Sequence, residues 1–181
     1  MLVGEGGQGV QTIAKLLAKA AFAKDYHTSY IPNFGTEQRG GISIAFLQVA
    51  CEEIVSPKFV DPNVFIILSS RDINRTLRYI TKNTTVIYDK YLVKKEIVEK
   101  LKKQSPTVVG VDAFELATEK LSERSLNILI LGILIGFVDC TLIEKITEIM
   151  DKKFQKYYDK KPELKKLNHE ALTLGLNLTT A

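Results

Sequence analysis

Four glycines crowd into the segment GEGGQGV at residues 4–10, and their spacing suggests chemistry more directly than any other feature of the chain. Glycines allow sharp bends and leave the main chain bare against a ligand or partner. A helical pattern follows, so the loop leads into a helix N-terminus, where free N–H groups and the helix dipole favour an anion. The predicted anion-binding or partner-binding loop consists of Gly4, Gly6, Gly7, Gln8 and Gly9.

A second glycine-bearing loop, FGTEQRGG, lies at residues 34–41. Its arginine can form a forked pair with a phosphate or carboxylate. Its charged side chains can equally dock a partner chain, and a plain solvent-exposed loop stays open as a third reading. The residues predicted for this second loop are Gly35, Glu37, Gln38, Arg39, Gly40 and Gly41.

The spacing of Gly4, Gly6 and Gly9 matches the nucleotide-binding fingerprint G-x-G-x-x-G. That fingerprint requires an acidic residue about 20 positions later, at the end of the second strand. Residues 30–33 are Tyr, Ile, Pro and Asn, so the acidic residue is missing. A tight turn that only lets helix and strand pack closely explains the glycines as well. A stand-alone dinucleotide-binding protein therefore remains the alternative function, and an interaction module without enzymatic context is a third.

The composition is that of an ordinary globular protein, with 181 residues, 45% hydrophobic residues and a net charge of +4. We expect one domain over residues 1–181. The small charge does not call for nucleic acid. The longest apolar run, residues 128–138, is shorter than the roughly 20 residues that span a bilayer. We therefore predict neither nucleic acid nor membrane as partner. The two cysteines, expected to be free thiols, fit a reducing environment, so we predict a cytoplasmic protein.

Two cysteines, Cys51 and Cys140, cannot by themselves hold a four-thiolate iron–sulfur cluster. Both stand among apolar residues, and we expect them to be buried free thiols. The two histidines, His27 and His169, are isolated, so no metal site is predicted.

Strands alternate with helices up to residue 111, and the remainder reads as helix. This order predicts an α/β three-layer sandwich: a mostly parallel sheet with helices on both faces, a Rossmann-like first half and a helical C-terminal third. The first strand, near residues 2–3, is short, which leaves a truncated start open. Pro32 is expected to end the second strand, and residues 72–79 are expected to form a helix after a serine cap. Both glycine loops should lie at the carboxyl ends of strands, where ligands bind in such sheets.

The chain resembles the gamma subunit of the 2-oxoacid:ferredoxin oxidoreductases. The two glycine loops occur in the family's order, and DPNV at residues 61–64 is similar to the family's step into its central strand. Asn127, in LNILILGILIG, resembles the asparagine that opens the family's apolar helix. LNHEA at residues 167–171, with Gly175, is similar to the C-terminal helix. The resemblance therefore covers nearly the whole chain.

This resemblance implies an accessory subunit that contributes no catalytic residue. The family's complex converts a 2-oxoacid, coenzyme A and oxidised ferredoxin into acyl-CoA, carbon dioxide and reduced ferredoxin. Thiamine diphosphate, Mg and iron–sulfur clusters belong to other subunits of alpha, beta and delta type. The chain alone is expected to bind no cofactor and to be inactive, and ferredoxin is reached only through the complex.

Finer features of the motifs bear on substrate and site. The forms GEGGQG and EQRGG favour 2-oxoglutarate as the substrate, with pyruvate second. Gly110-Val111-Asp112 lacks the glycine that follows in a thiamine-diphosphate motif, and Thr36 stands where the family commonly has proline or alanine. We hypothesise that the amides of residues 6–10 and Arg39 face an anionic group, such as that of coenzyme A, or a partner loop. The helix that opens at Asn127 is either core or subunit interface.

Overall fold

The computed structural model describes residues 1–35, 41–71, 73–138 and 140–180. In this part of the chain, six strands form one sheet in the order β2-β3-β1-β4-β5-β6. Among these six strands, β3 alone runs against its neighbours, because it pairs antiparallel with both β1 and β2 whereas the other pairs are parallel. The strands are β1 (Leu2–Glu5), β2 (His27–Phe34), β3 (Ile42–Ala50), β4 (Val64–Ile67), β5 (Thr85–Asp89) and β6 (Val108–Val111).

Helices cover both faces of the sheet, which confirms the predicted sandwich. Five of them pack on one face and share a large apolar core with it, while α2 lies on the opposite face over a second core. The helices are α1 (Val10–Phe22), α2 (Lys95–Gln104), α3 (Ala113–Lys120), α4 (Leu126–Val138), α5 (Ile143–Tyr158) and α6 (Glu163–Thr180).

Helix α4 is apolar on every side, and the fold accounts for this composition. A helix of this kind must be covered all round, and α4 packs between α1 and α6. Its residues Ile128 to Ile135 are buried within the single chain, and its last turn, with Phe137 and Val138, is partly exposed. Of the two readings left open for this helix, the structure supports core.

The prediction that Pro32 ends the second strand was wrong. Strand β2 continues to Phe34, and Pro32 lies opposite Ala45 of β3. Proline is tolerated there because β2 is the edge of the sheet, where a nitrogen that faces outward has no ladder bond to make.

The helix predicted for residues 72–79 was also wrong. Asp72 lies outside the described residues, and the rest forms two 3₁₀ turns, Ile73–Arg75 and Leu77–Tyr79. Thr76 explains the change, since both its amide and its Oγ1 donate to the Ile73 carbonyl at 2.8 Å and close an i→i+3 turn.

Cys51 is exposed, which corrects the expectation of a buried thiol. It follows directly after β3, where the chain leaves the sheet for a surface turn. The side chain of Cys140 lies outside the description. Among the described residues, no helix combines the length and apolarity needed to cross a membrane.

The carboxylate of Asp89 joins the carboxyl end of β5 to the start of α3. This side chain is fully buried. Its Oδ1 accepts the amides of Tyr91 and Leu92 at 2.9 Å each, and its Oδ2 accepts the amide of Phe114 at 2.7 Å. These charge-assisted hydrogen bonds fix the turn after β5.

We predict that Asp89→Ala lowers the free energy of unfolding by about 3 kcal/mol, because three main-chain N–H groups lose an ionised acceptor. Urea unfolding of the purified chain measures this. The matched control is Asp112→Ala, which removes only a surface ion pair with Lys90 and should cost less than about 1 kcal/mol. Equal losses in the two variants would contradict this role of Asp89.

Candidate functional site

The two predicted glycine loops meet at one edge of the sheet. The amide of Gly6 donates to the carbonyl of Gly41 at 2.9 Å, and the amide of Gly35 donates to the carbonyl of Ile42, also at 2.9 Å. Residues 4–9 together with Gly35 and Gly41 are referred to below as the glycine rim. The predicted position at the carboxyl ends of the strands is confirmed, because β1 ends at Glu5 and its neighbour β4 ends at Ile67.

The side chain of Gln8 holds the first loop in place. Its Oε1 accepts the amide of Glu5 at 2.7 Å, and its Nε2 donates to the carbonyl of Leu68 at 2.9 Å. The carboxamide therefore ties the loop to the ends of β1 and β4 at once. It passes close to Gly4, where an added Cβ would lie 2.6 Å from Gln8 Oε1. Glycine at position 4 thus leaves the space in which this brace fits.

Gly9 begins α1 in a left-handed conformation, with φ of 79°, which side chains rarely adopt. Asn127 of α4 packs directly against it, and a Cβ at Gly9 would lie 2.6 Å from the Cβ of Asn127. The Oδ1 of Asn127 is buried and has no hydrogen-bond partner among the described residues. The asparagine singled out in the sequence therefore packs against the glycine rim at the start of α1.

The start of α1 presents main-chain N–H groups at the rim. The amides of Thr12 and Ile13 both donate to the carbonyl of Gly9, at 2.8 and 3.0 Å. The earlier amides of the first turn have no carbonyl one turn back to bind. Gly9 makes no side-chain cap at this end, and the first turn holds no acidic residue. The positive end of the helix dipole therefore favours a negative group nearby.

Gln11 ties the same helix to the antiparallel part of the sheet. Its Nε2 donates to Ser43 Oγ at 2.9 Å and to the carbonyl of Ile44 at 3.0 Å, and its Oε1 accepts the hydroxyl of Tyr30 at 2.5 Å. Burial raises the pKa of Tyr30 above its ordinary value, so the phenol stays protonated and donates. This network holds α1 in a fixed position relative to β2 and β3.

A crevice of about 490 Å³ opens beside the rim, between the ends of β1, β4 and β5. Glu5 accepts a hydrogen bond from Ser69 Oγ at 2.5 Å and lies 3.9 Å from Arg71 Nη1. Ser70 Oγ accepts the amide of Lys94 at 2.7 Å. Charges of both signs therefore line the crevice, and each is partly exposed.

Sequence reasoning missed Glu5, Ser69 and Arg71 as site residues and treated Ser69 and Ser70 as helix caps. The available signal was weak: a polar run directly after the buried strand β4. Of the second loop, Gly35 and Gly41 are at the rim, while Glu37, Gln38, Arg39 and Gly40 lie outside the described residues. Within the described ranges, no three His, Cys, Asp or Glu side chains cluster as metal ligands.

We predict that Gln8→Ala lowers the free energy of unfolding by about 2 kcal/mol, because an amide and a carbonyl at the strand ends lose their partners together. Chemical denaturation of the purified chain measures the loss. Gln104→Ala, at the exposed C-terminal end of α2, is the matched control and should change the value by less than about 0.5 kcal/mol. If the two variants are equally stable, Gln8 does not brace the loop.

The chain is similar to known proteins in sequence. The family model for pyruvate ferredoxin/flavodoxin oxidoreductase matches residues 1–178. The common gamma subunit of the pyruvate/ketoisovalerate oxidoreductases of Thermococcus litoralis is 32% identical over 161 residues, which make up 87% of this chain and 87% of that subunit. Subunit VorA of the ketoisovalerate oxidoreductase of Methanothermobacter marburgensis is 31% identical over 135 residues, which make up 75% of this chain but 27% of VorA.

A solved structure shares the fold. The 2-oxoglutarate:ferredoxin oxidoreductase of Magnetococcus marinus, with 2-oxoglutarate, coenzyme A and succinyl-CoA bound, matches 99% of this chain and 30% of its own chain, with a TM-score of 0.81 and 23% identity. The family match confirms the resemblance to gamma subunits that the two glycine loops suggested. The gamma subunit of Thermococcus litoralis, which aligns over 87% of both chains, confirms it as well. This chain belongs to the pyruvate ferredoxin/flavodoxin oxidoreductase family and is of its gamma-subunit type.

Proposed function

We propose that this chain works as the gamma subunit of a 2-oxoacid:ferredoxin oxidoreductase and supplies a rigid docking edge to subunits that carry the chemistry. The observation that supports this most is the Gly6–Gly41 hydrogen bond, which joins the two loops into one surface. Behind that surface, Gln8 and Gln11 fix the main chain to three strands. Because this surface is already ordered, its residues lose little conformational entropy when a partner binds.

Thiamine diphosphate does not fit the residues present here. Asp112, the candidate acid of the incomplete motif, is instead paired with Lys90 at 2.8 Å on the surface. With two cysteines in its sequence, the chain also lacks the ligands of a four-thiolate cluster. We therefore assign thiamine diphosphate, Mg and the iron–sulfur clusters to the alpha, beta and delta-type subunits. Electron transfer to ferredoxin belongs to them as well.

A role toward coenzyme A is the finer part of the proposal. The start of α1 at the glycine rim favours an anion. The cations Arg71 and Lys94 line the crevice that opens beside the rim, together with the carboxylates of Glu5 and Glu96, and could contact a phosphate group there. Arg39 belongs to the second glycine loop, of which the ends Gly35 and Gly41 are at the rim, and itself lies outside the described residues. The proposed role is to hold an anionic part of coenzyme A in the assembled complex, while the thiol reacts elsewhere.

We propose 2-oxoglutarate as the first substrate to test and pyruvate as the second. The support is the form of the two loops, GEGGQG and EQRGG. Related proteins named above act on pyruvate and ketoisovalerate or on 2-oxoglutarate, so a substrate panel must include all three. In each case the complex would convert the 2-oxoacid and coenzyme A to acyl-CoA and carbon dioxide.

The dinucleotide-binding alternative has less support from the fold. In a Rossmann unit the second strand lies next to the first and carries the ribose-binding acid. Here the antiparallel strand β3 separates β2 from β1, and no acidic residue occurs at positions 27–34. Calorimetric titration with NAD is expected to give no binding, and a micromolar affinity would restore this alternative.

The complex purified from its host is expected to contain this chain together with the thiamine-dependent subunits. It should reduce a dye only when both a 2-oxoacid and coenzyme A are present, whereas the isolated chain should show no activity. Turnover by the isolated chain would overturn the proposed division of labour, and so would an active native complex that lacks it.

In that complex, Arg39→Ala and Arg71→Ala are each expected to raise the KM for coenzyme A about tenfold and to leave the KM for the 2-oxoacid unchanged, because a charge-assisted contact to phosphate is lost. Lys82→Ala, which removes a cation before the amino end of β5, is the matched control. An unchanged KM in both arginine variants would remove the coenzyme A role and leave only docking.

A further inference from the structure

The exposed side of helix α1 carries positive charge that no residue of the same helix balances. Its exposed side chains are Lys15, Lys19 and Phe22. They are spaced four and three positions apart, so they lie along one stripe of the helix. The helix contains two lysines and neither Asp nor Glu. No ion pair can therefore form within α1, and both charges of the stripe face outward.

Lys153 of α5 adds a third cation beside this stripe. Helix α5 packs against α1. The two helices run antiparallel, because Lys24, just after α1, donates to the carbonyl of Thr141, just before α5, at 2.8 Å. Desolvation lowers the pKa of Lys153 below its ordinary value, and the positive charges of Lys15 and Lys19 lower it further. Three ammonium groups from two helices therefore lie close enough to repel one another.

The carboxylates near Lys153 on α5 are already paired with other cations. Glu148 binds two lysines of its own helix, at 2.6 and 2.7 Å. Asp151 contacts Lys165 and His169 of α6, at 3.0 and 2.7 Å. Among the residues that the structure describes, no carboxylate forms an ion pair with any of the three ammonium groups. Their charges are therefore open to a negative group from another molecule.

Aromatic rings hold two of these ammonium groups in position. The Nζ of Lys15 lies 5.8 Å from the ring centre of Tyr30, and the Nζ of Lys153 lies 5.4 Å from that of Phe154. Attraction to a ring face orders a lysine side chain but uses none of its three N–H donors as a hydrogen bond to oxygen would. These donors stay available, and less entropy is lost when an anion binds them.

Two exposed aromatic side chains border the three lysines. Phe22, at the end of α1, is 71% exposed, and Tyr157, one turn beyond Lys153 on α5, is 64% exposed. Aromatic side chains of this kind are common anchors of protein–protein interfaces. The three cations Lys15, Lys19 and Lys153, together with these two rings, are referred to below as the lysine patch.

We propose that the lysine patch docks an acidic segment of a neighbouring subunit, an inference that rests on the function proposed above. The patch continues from the glycine rim, because Lys15 follows Gly9 along α1 by about 9 Å at 1.5 Å per residue. The antiparallel course of α5 places Tyr157 on the rim side of Lys153. A subunit that meets the rim therefore reaches the patch as well. Its carboxylates neutralise the three cations and guide its association.

The charge of the chain favours a protein partner over nucleic acid. Proteins that bind nucleic acid commonly contact about six to ten phosphates. The patch offers three cations, and the net charge of the whole chain is +4. A short acidic segment with apolar side chains at its ends matches both the cations and the two exposed rings.

Lysine reactivity in the purified native complex tests this proposal. The three lysines of the patch are expected to be acetylated by trace acetic anhydride at least about fivefold more slowly in the complex than in the isolated chain, because a covered, ion-paired amine stays protonated. Exposed lysines of α2, on the opposite face, are the matched control and should react equally in both states; they are Lys95, Lys102 and Lys103.

The outcomes of this labelling separate the two proposals. A complex that contains this chain but leaves the patch lysines as reactive as in the isolated chain overturns the docking surface and leaves the proposed function standing. A native complex without this chain overturns both. Protection that disappears after nuclease treatment assigns the patch to nucleic acid and also overturns the proposal.

Zero-length cross-linking with a carbodiimide tests the acidic character of the partner. It is expected to join at least one patch lysine to an Asp or Glu of another subunit. Protected lysines that form no such cross-link would contradict an acidic segment.

Neutral variants test the contribution of the charges. Lys15→Gln, Lys19→Gln and Lys153→Gln combined are expected to raise the Kd of the chain for the remaining subunits about tenfold at low salt, with a smaller effect at high salt. The Tm of the isolated chain should not fall, because repulsion is removed. The control combines Lys95→Gln, Lys102→Gln and Lys103→Gln, which change the net charge equally. Equal Kd values for the two variants would overturn the proposal.

Discussion

The carboxamide of Gln8 is the contact on which the glycine rim depends. A loop with four glycines in six residues has few side chains to hold it, and its main chain would lose much conformational entropy on becoming ordered. Gln8 orders the loop, because its carboxamide accepts the amide of Glu5 and donates to the carbonyl of Leu68 at the same time. Glycine at position 4 is the condition for this, because a larger residue would occupy the space of the carboxamide. The glycine at position 4 and the carboxamide of Gln8 are therefore both needed to keep the loop in this conformation.

The sequence predicted well where local pattern decides structure. The glycine spacing located the loop before α1, and the order of predicted strands and helices gave the layered, mostly parallel sheet. The sequence predicted poorly where the surroundings of a residue in the folded chain decide its structure. Pro32 was misjudged because only the strand order reveals that β2 is an edge, and Cys51 was misjudged because an apolar neighbourhood in sequence was taken for burial.

The candidate site shows the same division between local and distant information. The glycines of the rim were visible in the sequence, but the crevice beside them was not. Glu5 and Ser69 are 64 positions apart and meet because β1 and β4 are adjacent in the sheet. Neither the periodicity nor the spacing of residues in the sequence shows which strands are adjacent in the sheet. The contact between Asn127 and Gly9 likewise depends on how α4 packs beneath the start of α1.

The molecule thus combines a deeply buried helical layer with a sheet edge that offers main chain and charge to its surroundings. Hydrogen exchange of the peptide that covers residues 6–13 tests the docking claim most directly. The account predicts that its amides exchange at least tenfold more slowly in the assembled complex than in the isolated chain, while those of α2, on the opposite face, do not change. Equal exchange rates at the rim in both states would contradict it.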